Sequence, residues 1–269
     1  MILSKRARLV LRVVAGLVLL IIYVPLAVVL INSFNASRTF AWPPSGFTTQ
    51  WWAKALDSEG LRTSLWNSVQ AGLLATAVAL VLGTMIAFAV ARYRFFGMEA
   101  VSLLVVLPLA LPGIVTGVAL SNMISTVLGP LGINAGLFTV VVGHATFCIV
   151  VVYNNVLARL RRTGSSLEEA SADLGADTFQ TFRLVTFPMI RSALLAGGLL
   201  AFALSFDEII VTTFTAGEFK TLPIWIAENL FRPNQAPVIN VAAAALIVLA
   251  ALPVWLAQKL GGDAAGGRL

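Results

Sequence analysis

Two adjacent carboxylic acids, Asp207 and Glu208, interrupt an otherwise apolar stretch over 193–214. A carboxylate near a bilayer centre costs about 2.5–3.5 kcal/mol on insertion scales, so an acid there needs a cationic partner or an aqueous cavity. No Lys or Arg inside the apolar stretches offers itself as that partner. Two readings follow: the pair snorkels toward the outer interface, or it attracts cations on a solute pathway. In the second, Asp207 is the contact because it lies farther from the interface. On a continuous helix adjacent residues diverge by about 100°, so the two carboxylates do not share one ligand atom. Ser205, two residues earlier, offers its hydroxyl to a solute or to its own helix backbone. His144 and Cys148, four residues apart, share a helix face, but two soft ligands without a third make no metal site; packing is the expectation. A hydrolase built on Ser and His would need a nucleophile in a strained Gly-x-Ser-x-Gly setting, which is missing, and no serine neighbours His144 in that motif sense. There is also no G-x-x-x-x-G-K-[ST] phosphate-binding loop.

The elements that carry these residues follow from the scarcity of charge. Of 269 residues, 59% are hydrophobic and 11% charged, with a mean hydropathy of +0.92. Formal charge is absent for 25 residues between Arg12 and Arg38, for 29 between Arg62 and Arg92, for 59 between Glu99 and Arg159, and for 26 between Arg232 and Lys259. A spanning helix needs about 20 apolar residues, which excludes a soluble globular protein, and a chain this apolar is not disordered. The pattern predicts an all-α polytopic membrane protein with six spans, over 9–31, 65–91, 101–128, 137–157, 193–214 and 237–257. The 59-residue neutral stretch divides at the turn-forming cluster Gly129-Pro130-Leu131-Gly132-Ile133-Asn134. Pro108, Pro112 and Gly113 bend the third span, as suits a helix lining a pathway. Gly113 with Gly117, and Gly132 with Gly136, have the spacing that permits close helix approach.

Orientation follows from the basic residues. Thirteen of the 18 Lys and Arg precede span one, lie between spans two and three or four and five, or follow span six. Only Arg38, Lys54, Arg62, Lys220 and Arg232 fall on the other side. Both termini are therefore expected in the cytoplasm, with an uncleaved first span and an external loop over 32–64. The net charge of +6 is a topology signal, and nucleic-acid binding is not expected. Trp42, Trp51, Trp52 and Trp66, in or beside the external loop, have the default role of interfacial anchors.

The cytoplasmic loop over 159–191 is long enough to fold outside the bilayer. Ser165-Ser166-Leu167-Glu168-Glu169 has the form of a helix start, and Ser166 with Glu169 matches a capping box. Leu167, Ala170 and Leu174 would share a face, Gly175-Ala176 would stop or bend the helix, and a second amphipathic piece would follow over 178–185. Such a helix either rests on membrane lipid or docks into a groove on another protein.

Glu169-Ala170-Ser171-Ala172-Asp173-Leu174-Gly175-Ala176, with Phe187-Pro188 eleven residues on, resembles the Glu-Ala-Ala loop of ABC importer permeases. Ser171 stands where that family usually has a second Ala. Asn32-Ser33-Phe34-Asn35, Phe47-Thr48-Thr49-Gln50-Trp51, the run from Ala201 to Glu208, and Thr146-Phe147-Cys148 behind His144 extend the similarity to the second permease subunit of spermidine/putrescine-type ABC importers. The resemblance implies a type I ABC importer permease fold in the bacterial inner membrane. It implies a single transmembrane domain over 1–269 with its core over 63–258, and no catalytic activity of its own. It implies a second permease subunit, two ATPase subunits that bring ATP and Mg, and an external solute-binding protein. It assigns Glu168, Glu169, Ala170, Ser171, Asp173, Leu174, Gly175, Ala176 and Pro188 to ATPase coupling. On the solute pathway it favours Asp207 and Glu208, with Ser205, and Trp51 as a ring that stacks on solute. The expected function is import of a polyamine. Where relatives carry an acid in the third span this chain has Pro112-Gly113, which leaves room for γ-aminobutyrate, a betaine or another small amine. A proton-coupled secondary transporter is the rival of another class, and it predicts an inverted repeat that the sequence does not display.

Overall fold

The computed structural model describes residues 4–39, 42–232 and 235–265. Arg268, counted above toward orientation, lies outside the described residues. Six helical stretches are long and apolar enough to cross a membrane: Lys5–Asn32, Glu59–Arg92, Gly113–Leu131, Leu137–Thr163, Thr178–Phe206 and Ala236–Lys259. Among the described residues there is no strand, only an isolated bridge between Asn35 and Phe47. The contacts group the chain into two compact units, residues 1–62 with 225–248 and residues 63–224 with 249–269.

The first unit contains α1 (Lys5–Asn32), α2 (Gln50–Asp57), the start of α3 (Glu59–Arg92), most of α11 (Leu222–Asn229) and the first part of α12 (Ala236–Ala265). Ser4 caps α1 by accepting from the Ala7 N–H at 3.2 Å. Nearly all of α1 is exposed, with apolar side chains on every side, as a helix in lipid allows. The segment between α1 and α2 closes on itself. Ala36 N–H donates to Gly46 O at 2.9 Å and Thr48 N–H to Phe34 O at 2.7 Å, while the Asn35 side chain accepts from Ser37 and Ser45 N–H.

The second unit holds most of α3, α4 (Met98–Ala110), α5 (Gly113–Met123), α6 (Leu137–Thr163), α7 (Ser166–Asp173), α8 (Thr178–Thr181), α9 (Phe187–Phe206) and α10 (Ile210–Thr215). Lipid is as apolar as leucine, so helices in it associate by close packing rather than by escape from water. The sequence supplies small residues for this. Ala71, Ala75, Ala79, Gly83 and Ala87 recur every four residues along one face of α3, and all four alanines are fully buried. A Cβ on Gly83 would come within 2.9 Å of the Ile149 carbonyl on α6. Val150, Val152, Val156 and Leu160 of α6 and Ile190 and Ala201 of α9 complete the core.

Two expected spans are corrected. The third, read as one bent helix over 101–128, is two: α4 ends at Ala110, Leu111 is extended at φ −81°, ψ 141°, and α5 starts after Pro112. The residue before proline is pushed out of the helical region, so the bend becomes a break. The fifth span starts earlier and stops sooner than 193–214: α8, a π turn over 182–186 and α9 run continuously from Thr178 to Phe206. Pro188 has no N–H to give to the preceding turn; the wide turn before it lets Phe187 N–H reach back five residues to the Phe182 carbonyl. Gly132 and Gly136 are likewise not a helix contact. Gly132 ends a 3-10 turn at φ 82°, Gly136 precedes α6, and neither has a neighbour within 4 Å of where a Cβ would stand.

Candidate functional site

Asp207 and Glu208 lie not on a helix face but in the gap between α9 and α10. The α9 helix ends at Phe206, Asp207 adopts φ −101°, ψ 2°, and the chain turns helical again at Ile210. Acidic side chains compete for backbone N–H groups and so favour such ends. Glu208 does this here, its Oε1 accepting the Val211 N–H at 2.9 Å. Asp207 is exposed, and among the described residues it forms no ion pair.

His144 of α6 holds the two sides of this gap together. It is fully buried, with Nδ1 2.7 Å from Ser205 Oγ on α9 and Nε2 2.8 Å from Thr212 Oγ1 on α10. Thr212 donates its one hydroxyl proton to the Glu208 carbonyl at 2.7 Å. It therefore accepts from His144, which assigns the proton to Nε2 and leaves Nδ1 to accept from Ser205. Three further contacts seat α10. Phe214 lies over Gly117 of α5, where a Cβ would come within 2.4 Å of the ring; only glycine fits. Ile210 lies beside Gly113, 3.5 Å from where its Cβ would be, and the Thr215 carbonyl accepts the Gly136 N–H at 3.2 Å.

The expected pathway residues are thus distributed differently from the sequence reading. Ser205 is buried and its hydroxyl is taken by His144. Trp51 belongs to the first unit, 6% exposed, its Nε1–H donating to the Asn35 carbonyl at 2.9 Å and its ring already facing Lys54 Nζ at 5.4 Å. In this conformation it is neither an interfacial anchor nor open to a solute. His144 does have a serine neighbour, though not within any sequence motif: residues 61 positions apart meet across two helices. The pair is sealed, and the far nitrogen meets a threonine rather than a carboxylate, so nothing there makes an activated nucleophile. Cys148, one turn on, packs with its Sγ 3.3 Å from the Ala201 carbonyl.

The second cluster lies in the loop between the fourth and fifth spans. The α7 helix ends in a complete Schellman turn: Ala176 N–H donates to Ser171 O at 3.1 Å and Gly175 N–H to Ala172 O at 2.9 Å. Gly175 has φ 85°, a conformation costing other residues roughly 1–2 kcal/mol. The helix start departs from expectation. Ser165, not Ser166, precedes the helix, and its hydroxyl bonds the Glu169 side chain instead of a backbone N–H. A capping box does form one helix later, between Asp177 and Gln180. The two adjacent glutamates part company. Glu169 is exposed with Ala170 and Asp173, whereas Glu168 turns inward and is held by a fork from Arg92 at the end of α3, Nε to Oε2 at 2.8 Å and Nη2 to Oε1 at 3.1 Å. Thr186 donates to the same carboxylate at 3.0 Å, and Arg92 Nη2 also reaches the Gly164 carbonyl at 2.8 Å. Leu174 is left 89% exposed, with Leu167 and Phe179 also outside, and Pro188 sits in the first turn of α9.

Residues 79–261 match the family of binding-protein-dependent transport system inner membrane components. The spermidine/putrescine transport system permease protein PotC of Escherichia coli (strain K12) is 32% identical over 247 residues, covering 91% of this chain and 91% of that one. The putrescine transport system permease protein PotI of the same strain is 32% identical over 238 residues, covering 87% of this chain and 83% of its own length. Among solved structures, a bacterial ABC transporter involved in import of the acidic polysaccharide alginate superposes with a TM-score of 0.69 at 17% identity, over 96% of this chain and 99% of that one. The inward-facing methionine ABC transporter MetNI gives 0.56 at 20% identity, over 77% and 99%. At such identities the likeness to these structures shows the fold alone. Together with the six spans, the match over 79–261 and over nine-tenths of a curated relative establishes that the chain belongs to the binding-protein-dependent transport system inner membrane components, as a multi-pass, non-enzymatic permease of the ABC importer type.

Proposed function

We propose that this permease forms half of a pathway for a small cationic solute, in the first place a polyamine such as putrescine or spermidine, and that the gap between α9 and α10 is where the solute touches the chain. The observation that carries the reading is Asp207, an exposed acid at the helix break that ends the fifth span, in no ion pair among the described residues. An acid costly to insert and left open is suited to exchange its water for a passing ammonium group. The names of the 32%-identical relatives, which transport spermidine and putrescine, support the same class.

In the orientation expected from the basic residues, both termini and the 159–191 loop face the cytoplasm of a bacterial cell. There α7, with Leu174, Leu167 and Glu169 outward and Gly175 closing its end, docks on an ATPase subunit. ATP and Mg bind the two ATPases, a second permease completes the pathway, and an external solute-binding protein delivers the cargo. One observation favours a monocation or a zwitterion, such as γ-aminobutyrate or a betaine. Glu208 Oε1 is engaged by a backbone N–H, and Gly113, where the resemblance has an acid, faces Ile210, so Asp207 is the more exposed of the two acids at the gap.

The test is ATP-driven accumulation of labelled putrescine by proteoliposomes containing the chain with its partner permease, ATPases and solute-binding protein. Asp207→Asn is expected to cut uptake about tenfold, the equivalent of about 1.4 kcal/mol. Undiminished uptake by the variant would support a snorkelling pair instead. Accumulation of γ-aminobutyrate but not putrescine would support the zwitterion reading.

A further inference from the structure

The gap between α9 and α10 needs something to hold it open at one geometry. When a helix stops and restarts, the last carbonyls of the first half and the first N–H groups of the second lose their partners. Three residues, Asp207 to Ile209, then carry dihedrals that no regular pattern enforces. Buried polar groups on either side must also be satisfied or they cost free energy. Ser205 stands in the last turn before the gap and Thr212 in the first turn after it, and both are buried. One imidazole from α6 satisfies both hydroxyls, and Thr212 carries the chain of bonds onward to the Glu208 carbonyl.

We infer that His144 is a positioning residue for the cation-binding gap: a neutral strut whose two nitrogens fix the spacing of α9 and α10 and so aim the Asp207 and Glu208 carboxylates. The inference rests on the reading of that gap as the solute contact. Several features of the strut suit the task. Its two ends differ, one accepting and one donating, so the bonds form in one register only. The ring is rigid between its nitrogens, unlike a flexible polar chain. It is fully buried and packed 5.5 Å from the Phe147 ring, so it has little freedom to turn. Its element, α6, packs along α9 with Cys148 against Ala201 and Asn155 beside Gly197, which makes it a stable reference for both halves. The hydroxyls of Ser205 and Thr212 and the side chain of Phe147 face the ring, all three uncharged. His144 does not touch the solute itself.

The experiment measures putrescine transported per ATP hydrolysed by the complete complex in proteoliposomes, at saturating loaded solute-binding protein. His144→Leu keeps the volume and removes both bonds. It is expected to lower transport per ATP about tenfold while ATP turnover per assembled complex stays within about twofold of wild type, a tenfold change being about 1.4 kcal/mol. His144→Gln, whose terminal amide has one acceptor and donors, is expected to recover most of the ratio. Combined with Asp207→Asn, His144→Leu is expected to add little, since residues acting through one another are not additive. A parallel fall of transport and ATP turnover in His144→Leu would mean a packing role only and overturn the inference, as would full additivity with Asp207→Asn. If His144→Leu fails to assemble, Ser205→Ala, which removes one end of the strut, is read in the same way. An Asp207→Asn variant that transports normally would instead sink the underlying reading of the gap, and is separately visible.

Discussion

The chain fastens a short helix to long ones in two places, and the two fastenings use opposite chemistry. At the loop outside the spans, α7 is tied to the end of α3 by the Arg92–Glu168 fork, with Thr186 and the Gly164 carbonyl completing the bonds. At the gap that follows span five, α10 is tied to α9 and α6 by Ser205, His144 and Thr212, none of them carrying a formal charge in the pattern of bonds observed. Each joint has one side chain with two polar edges reaching two elements. The difference follows from the solvent. Arg92 and Glu168 have 16% and 19% of their side chains exposed, so water still pays part of the charge desolvation. His144 has none, and a charge there would bear the full cost of an apolar surround. Charge in this fold thus serves either at the rim or, as with Asp207, where a partner is expected to arrive.

Moving charge into the neutral joint should have the largest effect. His144→Arg places a permanent cation in a fully buried site, at about 2.5–3.5 kcal/mol on insertion scales. The expected outcome is a tenfold or greater loss of monodisperse protein in detergent, followed by size-exclusion chromatography; a wild-type yield would erase the distinction between the joints. A smaller effect is expected at the rim. Arg92→Ala leaves a half-buried carboxylate without its fork, for a destabilisation of about 1–3 kcal/mol, and the exchange Arg92→Glu with Glu168→Arg should restore part of it. A double-mutant cycle on thermal midpoints checks this, with an expected coupling energy of about 1 kcal/mol. That coupling should shrink as salt rises from 0.1 to 1 M and the screening length falls from about 10 to about 3 Å. The Ser205–His144 coupling should not respond. A salt-independent Arg92–Glu168 coupling would contradict the assignment of that joint to charge.

The legibility of these features in the sequence divides along the range of the interaction that makes them. Charge-free stretches reported six spans, because insertion depends on local composition. Gly175 reported the end of α7, because an αL cap is decided within six residues. Pro112 reported a bend in span three, though only the structure shows it to be a break with Leu111 extended. The stripe Ala71, Ala75, Ala79, Gly83, Ala87 is present in the sequence as a four-residue period and marks a buried face, whereas the similar spacing of Gly132 and Gly136 marks no helix contact. The joints were not legible at all. Ser205 and His144 are 61 residues apart and Arg92 and Glu168 are 76 apart, so no spacing rule connects them. Arg92 read only as one more cytoplasmic cation, and Glu168 read as equivalent to Glu169, although the helix turns them to opposite environments. Trp51 was likewise weighed as a surface ring, because nothing local reveals that the Asn35 carbonyl is waiting for its N–H.

Solute is proposed to meet this chain at the break between α9 and α10. The most direct measurement is photolabelling of the assembled, ATP-trapped complex with a photoreactive diamine, followed by peptide mass mapping. Adducts are expected within 207–211, competed by excess putrescine and reduced by Asp207→Asn. Competable adducts confined to other segments, with 205–212 unlabelled, would contradict it.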